Sequence, residues 1–133
     1  MDKSVEEKFS QYPNEVRLRM IELRALIYHV AKELQLGEVK ESLKWGEPSY
    51  SVEGGSPIRI DWKLNTPTQY YLYFNCQSKL VDTFKELYGE SLQFQGNRAI
   101  ILFTSKSLPS MINQCVTLAF TYHNVKHLPL LGQ

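Results

Sequence analysis

His123 and His127, four residues apart, have the one spacing in this chain that suggests metal chemistry. On a helix that step stacks two imidazoles on one face, but a resident metal needs three or four converging ligands. No third donor lies nearby, and Pro129 follows closely. His29 borders the apolar line of a predicted helix and reads as a histidine at the edge of a core. A cysteine nucleophile needs a neighbouring cation or a helix N-terminus to stabilise its thiolate. Cys115 falls mid-helix on an apolar line, which predicts a buried and inert side chain, and nothing beside Cys76 would activate it. Carboxylate pairs for acid–base work could be drawn from Glu41, Glu47, Glu53 and Asp61, expected as exposed acids or as one rim of a sheet face. An enzyme site built from scattered residues would use Glu47, Asp61 and Tyr73. The sequence contains no G-x-S-x-G, H-E-x-x-H, C-x-x-C or Gly-rich phosphate loop, so no catalytic residue is predicted.

Binding chemistry has better candidates. Arg59, Asp61 and Lys63 alternate with Ile58, Ile60, Trp62 and Leu64, and Tyr71 and Tyr73 alternate with Leu72 and Phe74. A period of two places the charged residues and tyrosines on one face of a strand pair. Amphipathic rings beside cations are a common composition for a binding surface. The same residues would also serve an ordinary solvated face with cross-strand aromatic pairs.

Those strands need a scaffold. Ser4-Val5-Glu6-Glu7 resembles a capping box opening a short helix from Val5 to about Gln11. Pro13 is placed to open a second helix, on which Val16, Met20, Leu23, Ile27, Val30 and Leu34 recur at helical steps until Gly37 stops it. Short strand pieces are predicted at 43–45 and 49–52, and an antiparallel hairpin across Asn65-Thr66-Pro67-Thr68. A helix is predicted over 79–88, strands over 92–94 and 99–103, and a last helix over 109–122; the tail from His123 to Gln133 has no clear period. Helices segregated from antiparallel strands mean an α+β fold: one curved, mostly antiparallel sheet, with the long first and last helices packed on one face. Its other face is then wet. A single domain over residues 1–133 is expected.

Bulk properties narrow the partners. Fifteen basic against fourteen acidic residues give a net charge of +1, with the basic residues scattered, so strong nucleic-acid binding is not expected. Met1 to Phe9 is charged and polar, and no run approaches the ~18 apolar residues that span a bilayer. With two cysteines only, a cytoplasmic protein is expected, without membrane attachment. An exposed edge strand and the tail Leu128-Pro129-Leu130-Leu131 could support a homodimer.

The segment Glu41 to Tyr50, Glu-Ser-Leu-Lys-Trp-Gly-Glu-Pro-Ser-Tyr, resembles the bacterial YdhG-like domain family, with Trp45-Gly46-x-Pro48-x-Tyr50 as its compact signature. The resemblance covers about residues 5 to 122 and implies a frataxin-like α–β sandwich. Some relatives are regarded as frataxin-like iron chaperones, so it also implies, as an alternative function, delivery of Fe(II) for cluster or haem assembly. Glu6, Glu7, Glu15 and Glu22 on the early helices are the oxygen donors such a role would use. Read without iron, Gly46 and Pro48 fix a rigid corner, and Trp45 and Tyr50 either plug the core or line a pocket mouth. The leading expectation is a small binding or adaptor domain without a cofactor. Its unknown small-molecule or protein ligand would meet Trp45, Pro48, Tyr50, Arg59, Asp61, Lys63, Tyr71 and Tyr73.

Overall fold

Apolar residues at helical spacing begin the chain, and the computed structural model, which describes residues 1–133, folds them into α1 (Lys3–Ser10) and α2 (Asn14–Glu33). Val5 and Phe9 of α1 and Val16, Met20, Leu23, Ile27 and Val30 of α2 are buried, as their spacing requires. The first cap differs from expectation. Asp2, not Ser4, accepts the Val5 amide at 3.1 Å, and the Ser4 hydroxyl donates to the same carboxylate. A carboxylate two residues further out caps the helix and also suits its positive end. Pro13 is the cap of α2 rather than its first residue. The C-terminus of α2 closes before Gly37: Gln35 takes a left-handed φ of 54°, its amide donating to Lys32 and that of Leu36 to Ala31. This is the paired reverse bonding by which helices commonly end.

The strands β1 (Lys40–Lys44), β2 (Glu47–Ser51), β3 (Ile58–Trp62), β4 (Gln69–Tyr73), β5 (Gln93–Gln95) and β6 (Ala99–Phe103) form one open six-stranded sheet in the order β1-β2-β3-β4-β6-β5. Every neighbouring pair is antiparallel. The helix α3 (Leu80–Tyr88) precedes β5; α4 (Ile112–Phe120), α5 (Tyr122–Val125) and a 3-10 turn (Pro129–Gly132) follow β6. Tyr50, Ile58, Ile60, Tyr70, Leu72, Ile100 and Leu102 point from one face of the sheet into a core of 30 buried residues shared with α1 to α4. No helix is long and apolar enough to cross a membrane.

Three loops differ from the sequence reading. β3 stops at Trp62, and Leu64 is exposed, because the Thr66 amide turns back to Lys63 at 3.1 Å. The last helix is broken at Thr121, whose hydroxyl bonds the Thr117 carbonyl and whose φ of −108° leaves the helical range. The segment between β2 and β3 docks on that break: the Ser56 amide donates to Ala119 at 2.8 Å, and the His123 amide to Gly54 at 3.3 Å. In the tail, Leu131 is buried in the chain's own core, while Leu128 and Leu130 stay partly exposed.

Candidate functional site

The sheet face turned away from the helices is concave and encloses about 860 Å³. Its floor follows from the strand register. One row crosses all six strands: Ser42, Ser49, Arg59, Tyr73, Ala99 and Gln95 are successive partners. Ser49 and Ala99 are short and buried, so Arg59 and Tyr73 rise between low neighbours. In the next row Asp61 pairs with Tyr71 and Tyr71 with Ile101. The rings of Tyr71 and Tyr73 lie 5.6 Å apart, nearly parallel at 28°. Tyr71 is locked by its hydroxyl, which bonds Thr66 at 2.7 Å and Gln69 at 3.0 Å. The Tyr73 hydroxyl has no protein partner and is half-buried at the site, where burial above all, with Glu47 and Asp61 adding to it and Lys63 opposing it, pushes the phenol up to about 12. It is a neutral donor at any physiological pH.

A chain of charges runs along one side of this floor. Glu47 holds Arg59 through Nε at 3.3 Å and Lys63 at 3.0 Å, and Lys63 also bonds Asp61 at 3.0 Å. Burial alone would depress the Lys63 ammonium, but its bonds to Glu47 and Asp61 carry it above the ordinary lysine range. Asp61 is buried, held from behind by the Tyr12 hydroxyl at 2.6 Å and by Lys8 at 3.9 Å. The ladder between β2 and β3 covers only Ser49–Arg59 and Tyr50–Ile58, and it is past its end that Tyr12 meets Asp61. Glu47 thus holds Arg59 on its Nε side, while the terminal nitrogens of Arg59 carry no protein bond.

At the rim stands the hairpin of β1 and β2. Lys44 pairs with Glu47, so Trp45 and Gly46 alone make the turn, with φ of 55° and 77°. Positive φ at both central residues is the type I′ geometry that matches strand twist, and it favours Asn-Gly over a bulky first residue. Trp45 is 91% exposed and borders the concavity.

Of the residues proposed for binding, Trp45, Arg59, Lys63, Tyr71 and Tyr73 line this one concavity. Asp61 supports it from below. Pro48 and Tyr50 do not reach it. They alternate with Glu47 and Ser49 along β2 and face the helices, so of the two places open to Tyr50 the fold chooses the core. Tyr50 packs edge-on against Tyr28 at 5.9 Å, and its buried hydroxyl has no hydrogen-bond partner. Burial first, then the Glu41 charge, raises that phenol. Glu41 itself is tied to Arg24 at 2.6 and 3.1 Å and to the Asp2 amide at 2.8 Å, a strut between α2, β1 and the N-terminus rather than a rim acid. Register brings in Ser42, Ser49 and Ala99, and the walls add Lys44 and Arg98. The only sequence trace of these is the small residue at every second position of β2, in Ser49 and Ser51.

No protein-family model, curated protein or solved structure matches the chain. Glu47, Asp61 and Tyr73 do share a face, but both carboxylates are engaged by cations. Nowhere do three His, Cys, Asp or Glu side chains converge as a metal would need. Cys76 is exposed at the rim, and Cys115 is buried, its thiol pushed up to about 12 by that burial.

Proposed function

We propose that this chain is a small cytoplasmic binding domain without catalytic machinery, and that its ligand is a small molecule seated in the concavity of the exposed sheet face. The observation that carries this reading is the row Ser49–Arg59–Tyr73–Ala99, which sinks a recess of about 860 Å³ around the Tyr73 hydroxyl and the terminal nitrogens of Arg59, none of which has a protein partner. A recess of that size suits a metabolite-sized ligand. Ion pairs and the Thr66–Tyr71 bond hold the floor in place before a ligand arrives, which lowers the ordering cost of binding. The cytoplasm suits an exposed, unpaired Cys76. Iron delivery would have to rest on Glu6, Glu7, Glu15 and Glu22, of which Glu22 is paired with Arg19 at 2.8 Å and none belongs to a cluster of three possible ligands.

The test is a thermal-shift screen of small molecules. A ligand at about a hundred times its Kd adds about 2.7 kcal/mol, a shift of several degrees. Hits should lose their effect in Ser49→Phe, which fills the floor, and in Tyr73→Ala, which removes a wall. No stabilising molecule, or hits indifferent to both changes, overturns the reading.

A further inference from the structure

We infer that the ligand is an organic anion, a carboxylate or phosphate carried on a planar ring, with its charge on Arg59 and its ring under Trp45. This rests on the binding reading above and names the class of molecule. Four cations line the concavity, Lys44, Arg59, Lys63 and Arg98, against the single carboxylate of Glu47. With Asp61 beneath Lys63 counted as well, two positive charges in excess gather at one recess, although the whole chain carries a net charge of only +1. Lys63 is consumed by Glu47 and Asp61, but Lys44 and Arg98 form no ion pair, and Arg59 gives only its Nε side to Glu47. With the Tyr73 hydroxyl, which stays protonated, the ionisable groups left unpaired all present hydrogen-bond donors. A donor-rich recess is complementary to an acceptor-rich, negatively charged ligand, and a guanidinium with both terminal nitrogens open matches the two oxygens of a carboxylate or phosphate.

Trp45 supplies the surface for the ring. A bulky residue at φ 55° is a strained outlier, and here the strained side chain is almost entirely in water. Neither core packing nor turn formation accounts for it, since Asn would make the turn better. Its exposed position on the rim of the recess gives a planar ligand an aromatic face to stack against.

The experiment is NMR titration of the uniformly labelled chain with 2-naphthoate, 2-naphthyl phosphate, 2-naphthamide, 2-naphthylmethylamine and inorganic phosphate. One of the two aryl anions is expected to shift the Trp45 indole and the Arg59 and Tyr73 amides, and to bind at least tenfold tighter than the amide or amine. Which of the two binds tighter separates carboxylate from phosphate. Arg59→Gln should weaken that binding several-fold, and Trp45→Asn should weaken the aryl anions but not inorganic phosphate. Naphthamide binding as tightly in the same recess overturns the anion class and leaves the binding reading standing. Inorganic phosphate binding as tightly as naphthyl phosphate overturns the role of the ring. If none of the five shifts the recess, the class is wrong, and the thermal-shift screen with its Ser49→Phe control decides separately whether the recess binds anything.

Discussion

Replacing Trp45 with Asn is expected to make the protein more stable, which separates a residue kept for binding from one kept for folding. Trp45 occupies the first central position of a two-residue turn at φ 55°, followed by Gly46 at 77°. A left-handed conformation costs an ordinary L-residue about 1–2 kcal/mol, and Asn escapes most of that through its short polar side chain. Against this stands whatever apolar contact the indole makes. With Trp45 91% exposed, about a tenth of its surface is covered. That is roughly 25 Å² of the ~250 Å² a tryptophan can bury, or about 0.6 kcal/mol at ~25 cal/mol per Å². The balance favours Asn by about 0.5–1 kcal/mol, a rise in Tm of roughly 2–3 °C for a chain of this size. Thermal unfolding followed by far-ultraviolet circular dichroism measures it, with urea unfolding as a second reading. A fall of 2 °C or more would show that Trp45 is held by stabilising contacts that outweigh the backbone strain, and would refute its retention for binding.

Three further outcomes test the scaffold. A Cβ on Gly55 would lie 2.7 Å from the Phe120 carbonyl oxygen and 2.9 Å from its Cα, so Gly55→Ala must push the β2–β3 loop off the end of α4. It should cost about 2 kcal/mol in urea unfolding, and a neutral result would mean that this docking is loose. In the native protein a thiol reagent should modify one cysteine quickly, Cys76. Cys115 should react only after unfolding, and two fast thiols would contradict its burial. Burial works to raise the Glu41 carboxyl, but hydrogen bonds from Arg24 and the Asp2 amide outweigh it and hold it below the usual carboxylate range. A depressed folded-state pKa contributes stability that is fully present above the unfolded value, near 4.5, and is lost as pH falls through the folded one. Glu41→Gln should therefore cost about 2 kcal/mol at pH 7, and the gap to wild type should shrink below about pH 4.5. A gap unchanged down to pH 3 would refute the coupling of Arg24 to the carboxylate.

The α+β class and the division of the sheet into a helix-covered and an exposed face were legible from local periodicity. The steps from Val16 to Val30 dictate a helix with one apolar face, and the alternation from Ile58 to Asp61 dictates a strand with two unlike faces, because both patterns follow from backbone geometry alone. That same alternation already put Arg59, Tyr71 and Tyr73 together. Tertiary structure decided what depends on contacts between distant segments. Pro48 and Tyr50 share a signature with Trp45, yet β2 sends them to the core while the turn sends Trp45 to the rim, since each step along a strand reverses the face. Asp61 looks like a surface acid until Tyr12, 49 residues away, is found donating to it. The recess itself exists because Ser42, Ser49 and Ala99 fall in one row with Arg59 and Tyr73, and which residue sits opposite which is set by how five strand pairs slide into register, not by any one of the strands.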